Sequence, residues 1–284
     1  MKNFSFINPS NLAEVLEILH QDKNVCLVAG ATNVLPFIRN EKINNKTLIN
    51  IRELKDLRYI RETEDKVLIG ALTTIADLRK SEILKKHAPA LEKAAENFAD
   101  PTTRNSATIG GNLANASPAA DTAPPLLVLD AMVLAVSSRG ERKIPIDEFF
   151  TGVNMTALKP DEMIKEIEIP KKPANCQSHF IKLGLRNAMA ISLVSAAAAL
   201  EISSGKIKMA RIALGSVAPT PVRGKTVEKF LIGQDYSVKV IEDAAGRVTE
   251  DISPISDIRA SKKYRQTVAH VVVKRVLQKI GGIQ

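Results

Sequence analysis

Thr108-Ile109-Gly110-Gly111-Asn112-Leu113-Ala114-Asn115-Ala116-Ser117-Pro118-Ala119-Ala120-Asp121 is the stretch on which the reading of this chain turns. Adjacent glycines lack Cβ, so backbone N–H groups can approach a ligand closely and φ can be positive. The Asn and Ser side chains add donors and acceptors without filling space. A run so rich in small residues and poor in charge reads as a binding loop for an anionic guest. The plainer alternative is a connection between two helices. Asp121 closes the run. It is either an N-cap for a helix starting near Thr122 or a hydrogen-bond partner for a bound ring or ribose, and spacing alone does not separate the two.

Working outward, Val25-Cys26-Leu27-Val28 reads as a short buried strand, followed by Ala29-Gly30-Ala31-Thr32-Asn33 and then Val34-Leu35. A strand, a small-residue turn and a new element can aim consecutive N–H groups at one phosphate. The dinucleotide fingerprint G-x-G-x-x-G is absent. Taken alone, the second stretch is a tight turn.

Taken together, the two stretches, with Arg104-Asn105 and the spacing of roughly eighty residues between them, resemble the FAD-binding medium subunit of the molybdenum hydroxylases, of the xanthine dehydrogenase and carbon monoxide dehydrogenase type. The likeness continues through residues 142–150, Asp161-Glu162, Ile169-Pro170, Phe180-Ile181-Lys182 and Arg259 to Arg265. It implies an α+β fold. A PCMH-like FAD-binding domain in two subdomains, about 1–55 and 56–172, precedes a C-terminal domain, 176–284, with a three-stranded antiparallel sheet and helices. FAD would lie between the subdomains. Its pyrophosphate would rest on Ala29, Gly30, Ala31, Thr32 and Asn33, flanked by Leu27, Val28 and Val34. Thr108, Ile109, Gly110, Gly111, Asn112, Asn115 and Asp121 would run beside the ribityl chain and ring, with Ile164 and Lys182 nearby.

The resemblance also implies partners: a large subunit with the molybdenum cofactor and a small subunit with 2Fe-2S clusters, in a heterotrimer open to dimerisation. Electrons would pass from those clusters through FAD to NAD⁺ or another acceptor. Ala218-Pro219-Thr220-Pro221-Val222-Arg223 and Ser261-Lys262-Lys263-Tyr264-Arg265 look most like xanthine dehydrogenase-type members. The alternatives are a medium subunit of a carbon monoxide, aldehyde or aromatic hydroxylase, a stand-alone flavoprotein oxidoreductase, and an assembly subunit without FAD. Two departures bear on the site. Ala31 stands where the family usually has glycine, and Thr102-Thr103-Arg104-Asn105 replaces its usual Gln-Ile-Arg-Asn. Ala31 must keep φ negative or bear strain.

Composition sets the outer limits. At 284 residues and 45% hydrophobic content, one large domain or two ordinary ones can bury a core. Aromatics at 4% argue against a base-stacking nucleic-acid platform. The net charge of +9 suits an anionic ligand or acidic partner, although the lysines are scattered. Two cysteines, Cys26 and Cys176, are too few for an iron–sulfur cluster, which needs four ligands. They suit a reducing compartment, and with no signal-like apolar core at the start the expected location is cytoplasmic.

In chain order, strands are expected at 4–7, 25–28, 47–51, 58–62, 66–70, 132–136, 141–144 and 164–169. Helices are expected from Ser10 as N-cap, from Pro36, over 74–84 and 90–98, where Asp100-Pro101 stops the chain, and over 123–130. Pro170 to Asn175 reads as a linker. Beyond it, 179–185, 191–202 and 206–214 read as strands. The alanine-rich middle one has helical propensity, but a turn at Ser203-Ser204-Gly205 and another β-run follow at once. Helices close the chain at 226–231, 238–249 and 261–280, ended by Gly281-Gly282.

Other constellations fall away. Arg223-Gly224-Lys225-Thr226 imitates the end of a P-loop, but Pro219 holds the first glycine's place and supplies no N–H. His20, His87, His179 and His270 are isolated, with no metal-ligand spacing. Lys182 is either one solvated lysine among many or a cation near a flavin.

Overall fold

Leu12, Val15, Leu16 and Leu19 recur at helical spacing and form the helix Leu12–Gln21, which buries Val15 and Leu19. In this computed structural model, which describes residues 4–43, 47–186 and 188–282, its cap is Asn11. Asn11 Oδ1 accepts from the Glu14 N–H, while the expected cap, Ser10, donates its own N–H and hydroxyl to the Glu14 carboxylate. The helix covers a parallel sheet with the order Ser5–Ile7, Thr47–Asn50, Val25–Val28. The extreme ends of the expected domains, 1–3 and 283–284, lie outside the described residues.

The second subdomain is a five-stranded antiparallel sheet ordered Ile60–Glu62, Lys66–Gly70, Met163–Pro170, Met132–Ser137, Gly140–Pro145. The expected helix over 74–84 is two, Ile75–Lys80 and Glu82–His87. Ser81 is extended at φ −78°, ψ 115°, and its hydroxyl accepts from the Leu84 N–H. Pro89–Glu96 follows.

The stretch expected to be a loop is largely helical. Asp100 does not end structure there; its carboxylate caps Pro101–Ser106 through the Thr103 N–H at 3.0 Å. Thr108 caps Ile109–Asn115, its hydroxyl accepting from the Gly111 N–H at 3.1 Å. Left-handed Ala116, at φ 46°, ends that helix. Glycine and asparagine weaken helices in isolation, and here two side-chain caps and burial of Ile109 and Leu113 outweigh propensity. The helix Ala123–Val128 is fully buried.

The C-terminal sheet is antiparallel, ordered Cys176–Leu183, Val194–Ser203, Lys206–Gly215, Val222–Arg223. The fourth, two-residue strand adds an edge to the three expected. The alanine-rich run is the strand the turn signal implied. Ala197 and Ala199 belong to the core shared with Leu91 and Leu126 of the preceding domain, while Ala196, Ala198 and Leu200 pack toward Val273 and Val276 of the last helix. Both faces are dry, so no polar alternation marks it as a strand. That helix, Lys262–Gly281, ends on left-handed Gly282 at φ 68°.

Candidate functional site

A cleft of about 700 Å³ opens where the small parallel sheet, the five-stranded subdomain and the C-terminal sheet meet. Its first wall is the end of the strand Val25–Val28 and the turn after it: Leu27, Ala29, Gly30, Ala31, Thr32, Asn33 and Val34. Ala31 is left-handed at φ 59°. It therefore carries the strain that the sequence allowed for, of about 1–2 kcal/mol for a residue with Cβ. The turn continues into the short helix Val34–Arg39, with Leu35 N–H donating to Ala31 O and Phe37 N–H to Asn33 O. Among the described residues, the N–H groups of Ala31, Thr32, Asn33 and Val34 find no acceptor. Four consecutive open donors on a cleft wall are the kind of arrangement that can receive an anion.

The second wall holds Thr108, Gly110, Gly111, Asn112, Asn115 and Asp121. The N–H groups at the start of its helix are already taken. Ile109 N–H donates to Thr73 O, Gly110 N–H to Ala71 O, and Asn112 N–H to Thr108 O. Gly110 and Gly30 are required by chain packing. A Cβ on Gly110 would lie 2.7 Å from Ala71 O, and one on Gly30 would lie 1.8 Å from Ser106 O. The second wall thus offers side chains. Asn112 Oδ1 accepts from the Thr122 hydroxyl at 2.6 Å, which leaves its amide N–H groups for a guest.

Asp121 caps nothing; the helix Ala123–Val128 has Thr122 at its N-cap position. Instead Asp121 Oδ2 lies 2.6 Å from Lys182 Nζ, and its Oδ1 accepts from the Ser192 hydroxyl at 2.5 Å. Burial pushes the Asp121 carboxyl up from the usual range, while the Lys182 ammonium and the Ser192 hydroxyl pull it back. Lys182 lies on the cleft wall with its side chain 8% exposed, so it is not a solvated strand lysine. Ile164 reaches the cleft beside a bulge, where the pairing with Met132–Ser137 shifts register between Ile164 and Glu166.

Two expected residues do not line the cleft. Ile109 is fully buried in the core, and Val28 stays in its sheet, its carbonyl accepting from the Ile51 N–H. Thr103, one of the departures from the family pattern, lines it, and so do Phe37, Phe98, Asn154 and Ile191, which had not been anticipated. Phe98 lies just before the glycine stretch, and proximity was its only signal. Asn154 had none: it sits on a tight turn at φ 55° and donates its amide to Asn115 O at 2.7 Å.

Elsewhere, Arg223 of the false P-loop pairs with Glu228 at 2.6 Å, and His87 lies 2.9 Å from Glu62. Among the described residues, no three His, Cys, Asp or Glu side chains are grouped to hold a metal, and no helix is long and apolar enough to cross a membrane.

Two protein-family models match the chain. "FAD binding domain in molybdopterin dehydrogenase" matches residues 2–172, and "CO dehydrogenase flavoprotein C-terminal domain" matches 179–280. The chain is 34% identical to the xanthine dehydrogenase FAD-binding subunit of Escherichia coli O157:H7 over 96% of its own length and 94% of that protein's. It is 32% identical to the nicotinate dehydrogenase FAD-subunit of Eubacterium barkeri, over 97% and 95%. Its fold superposes with a TM-score of 0.95 on a chain of carbon monoxide dehydrogenase from Hydrogenophaga pseudoflava, at 31% identity and covering 99% and 98% of the two chains.

Proposed function

The chain belongs to the FAD-binding medium-subunit family of the molybdenum hydroxylases, flavoprotein subunits of oxidoreductases, and from that premise we propose that it is the flavin-carrying subunit of a xanthine dehydrogenase-type enzyme. The observation that supports this most is the run of open N–H groups from Ala31 to Val34, across the cleft from the buried Lys182–Asp121 pair. Donors left open at a helix start on a cleft wall are well placed to receive an anion.

Bound FAD supplies two-electron chemistry and passes electrons on singly or in pairs. The protein supplies placement. Ala31 to Val34 hold the pyrophosphate. Gly111, Asn112 and Asn115 border the ribityl chain and ring, and Ile164 and Leu27 exclude water from it. Lys182 lies on the wall where negative charge would develop. Val28 and Ile109 support the two walls from behind.

The two cysteines leave the clusters and the molybdenum centre to partners. We assign those to a small iron–sulfur subunit and a large molybdenum subunit, in a cytoplasmic heterotrimer. We propose NAD⁺ as the acceptor, on the xanthine dehydrogenase-like 218–223 and 261–265 segments. The test is reductive. NADH added anaerobically to the flavin-loaded chain should bleach its visible absorption. A chain that holds flavin but is reduced only by dithionite contradicts the nicotinamide assignment.

A further inference from the structure

The functional reading treats Lys182 as a cation beside a flavin, and the structure gives that cation a counter-ion. The Lys182 ammonium lies 2.6 Å from Asp121 Oδ2, with the two side chains 8% and 7% exposed. Ser192 donates its hydroxyl to the other carboxylate oxygen at 2.5 Å, and is itself buried. The ammonium's second partner is Asn97 O at 3.4 Å. The pair joins two domains: Asp121 comes from the end of the glycine stretch, Lys182 from the strand Cys176–Leu183 and Ser192 from just before the strand Val194–Ser203. Its net charge is zero.

We propose that Asp121 is a positioning residue that holds Lys182 in a neutral clamp with Ser192, and that this clamp keeps the potential of the flavin site from rising under an uncompensated cation. The proposal rests on the flavin reading above. Its consequence reverses the simple expectation for a lone lysine. A lone ammonium stabilises the added negative charge of a reduced ring, so removing it should lower the potential. A clamped ammonium behaves otherwise. When Lys182 is lost, Asp121 is left buried without its cation, and such a group neutralises by taking up a proton. The charge of the site stays at zero. When Asp121 is lost, the little-exposed amine gives up its proton more readily while the ring is neutral, but the growing charge of the reduced ring holds that proton in place and becomes its partner.

The experiment is a redox titration of the full chain loaded with FAD, at fixed pH and salt, for wild type, Asp121→Asn, Lys182→Met and the double variant. Asp121→Asn should shift the two-electron equilibrium toward the reduced flavin by tenfold or more, a rise of about 30 mV. Lys182→Met should shift it by less than about threefold, or about 15 mV. The double variant should return close to wild type. A tenfold fall in Lys182→Met, or no rise in Asp121→Asn, overturns the clamp.

A second measurement needs no flavin. In the flavin-free chain, the double variant should be more stable than the Lys182→Met single variant, because both buried charges are gone together. Additive losses overturn the pairing. Absence of flavin from the wild-type chain would contradict the functional reading, whereas a flavin-replete set with the wrong order of potentials contradicts the clamp alone.

Discussion

Ala31 and Gly30 are neighbours with opposite constraints. Ala31 occupies the left-handed region, where glycine is at ease. Ala31→Gly should therefore stabilise the chain by about 0.5–1 kcal/mol, the relieved strain being partly offset by the greater freedom of glycine in the unfolded chain. A lower denaturation midpoint for that variant would contradict the backbone geometry. Gly30 has no room at all, with Ser106 O at 1.8 Å from its missing Cβ. Gly30→Ala should cost about 3 kcal/mol by forcing two main chains apart, a loss that chemical denaturation reads directly. Gly111 is milder. Its Cβ would crowd only the Thr108 hydroxyl, at 2.9 Å. Gly111→Val should cost about 1 kcal/mol, the value of a cap, yet weaken FAD tenfold or more by filling the cleft. Wild-type affinity in a fluorescence titration would remove Gly111 from the flavin wall.

At the scale of elements, the alanine-rich strand and the loop 253–260 are the informative cases. Ala199 faces the core shared between domains, so Ala199→Leu should overpack it by about 1–3 kcal/mol. An unchanged midpoint would mean that the interface is loose. Asp257 tethers its loop to the last helix. Its carboxylate accepts from the Arg259 and Ala260 N–H groups and pairs with Arg265 at 2.9 Å. Although burial pushes the carboxyl up, those partners hold it well below its usual value of 3.8. A depressed carboxyl contributes stability above its unfolded value, and that stability is lost as pH falls through the folded one. Unfolding free energy should thus drop between pH 4 and pH 2 in wild type, and less steeply in Asp257→Asn. Equal slopes would contradict the tether.

Much of this was legible in the sequence. Strands with turn signals, such as 66–70 and 206–214, needed only local chemistry. The helices Pro101–Ser106 and Ile109–Asn115 were hidden because their stability comes from the caps at Asp100 and Thr108 and, for the second, from burial of Ile109 and Leu113, not from propensity. The glycines were rightly singled out for close approach, but Gly110 and Gly30 approach the main chain at Ala71 and Ser106, and only Gly111 faces the cleft with room beside it. The open N–H groups fell in the stretch that seemed weaker by itself. The Asp121–Lys182 pair spans 61 residues, and no local pattern announces it.

At the scale of the molecule, three layers share one cleft. The small parallel sheet and the turn after it bring open amides, the five-stranded subdomain brings side-chain donors and apolar cover, and the C-terminal domain brings Lys182 from a strand and Ile191 from the connection to the next. No single subdomain contains the site, so an isolated fragment 1–172 should bind flavin at least tenfold more weakly than the full chain, a difference that equilibrium dialysis reads directly. The central claim is that this chain alone holds FAD and that partners hold the metals. The most direct measurement is the flavin and metal content of the purified full chain expressed without partners, after equilibration with FAD and gel filtration. The account predicts one FAD per chain, with no iron and no molybdenum. A chain that emerges without flavin, or with stoichiometric iron, would contradict it.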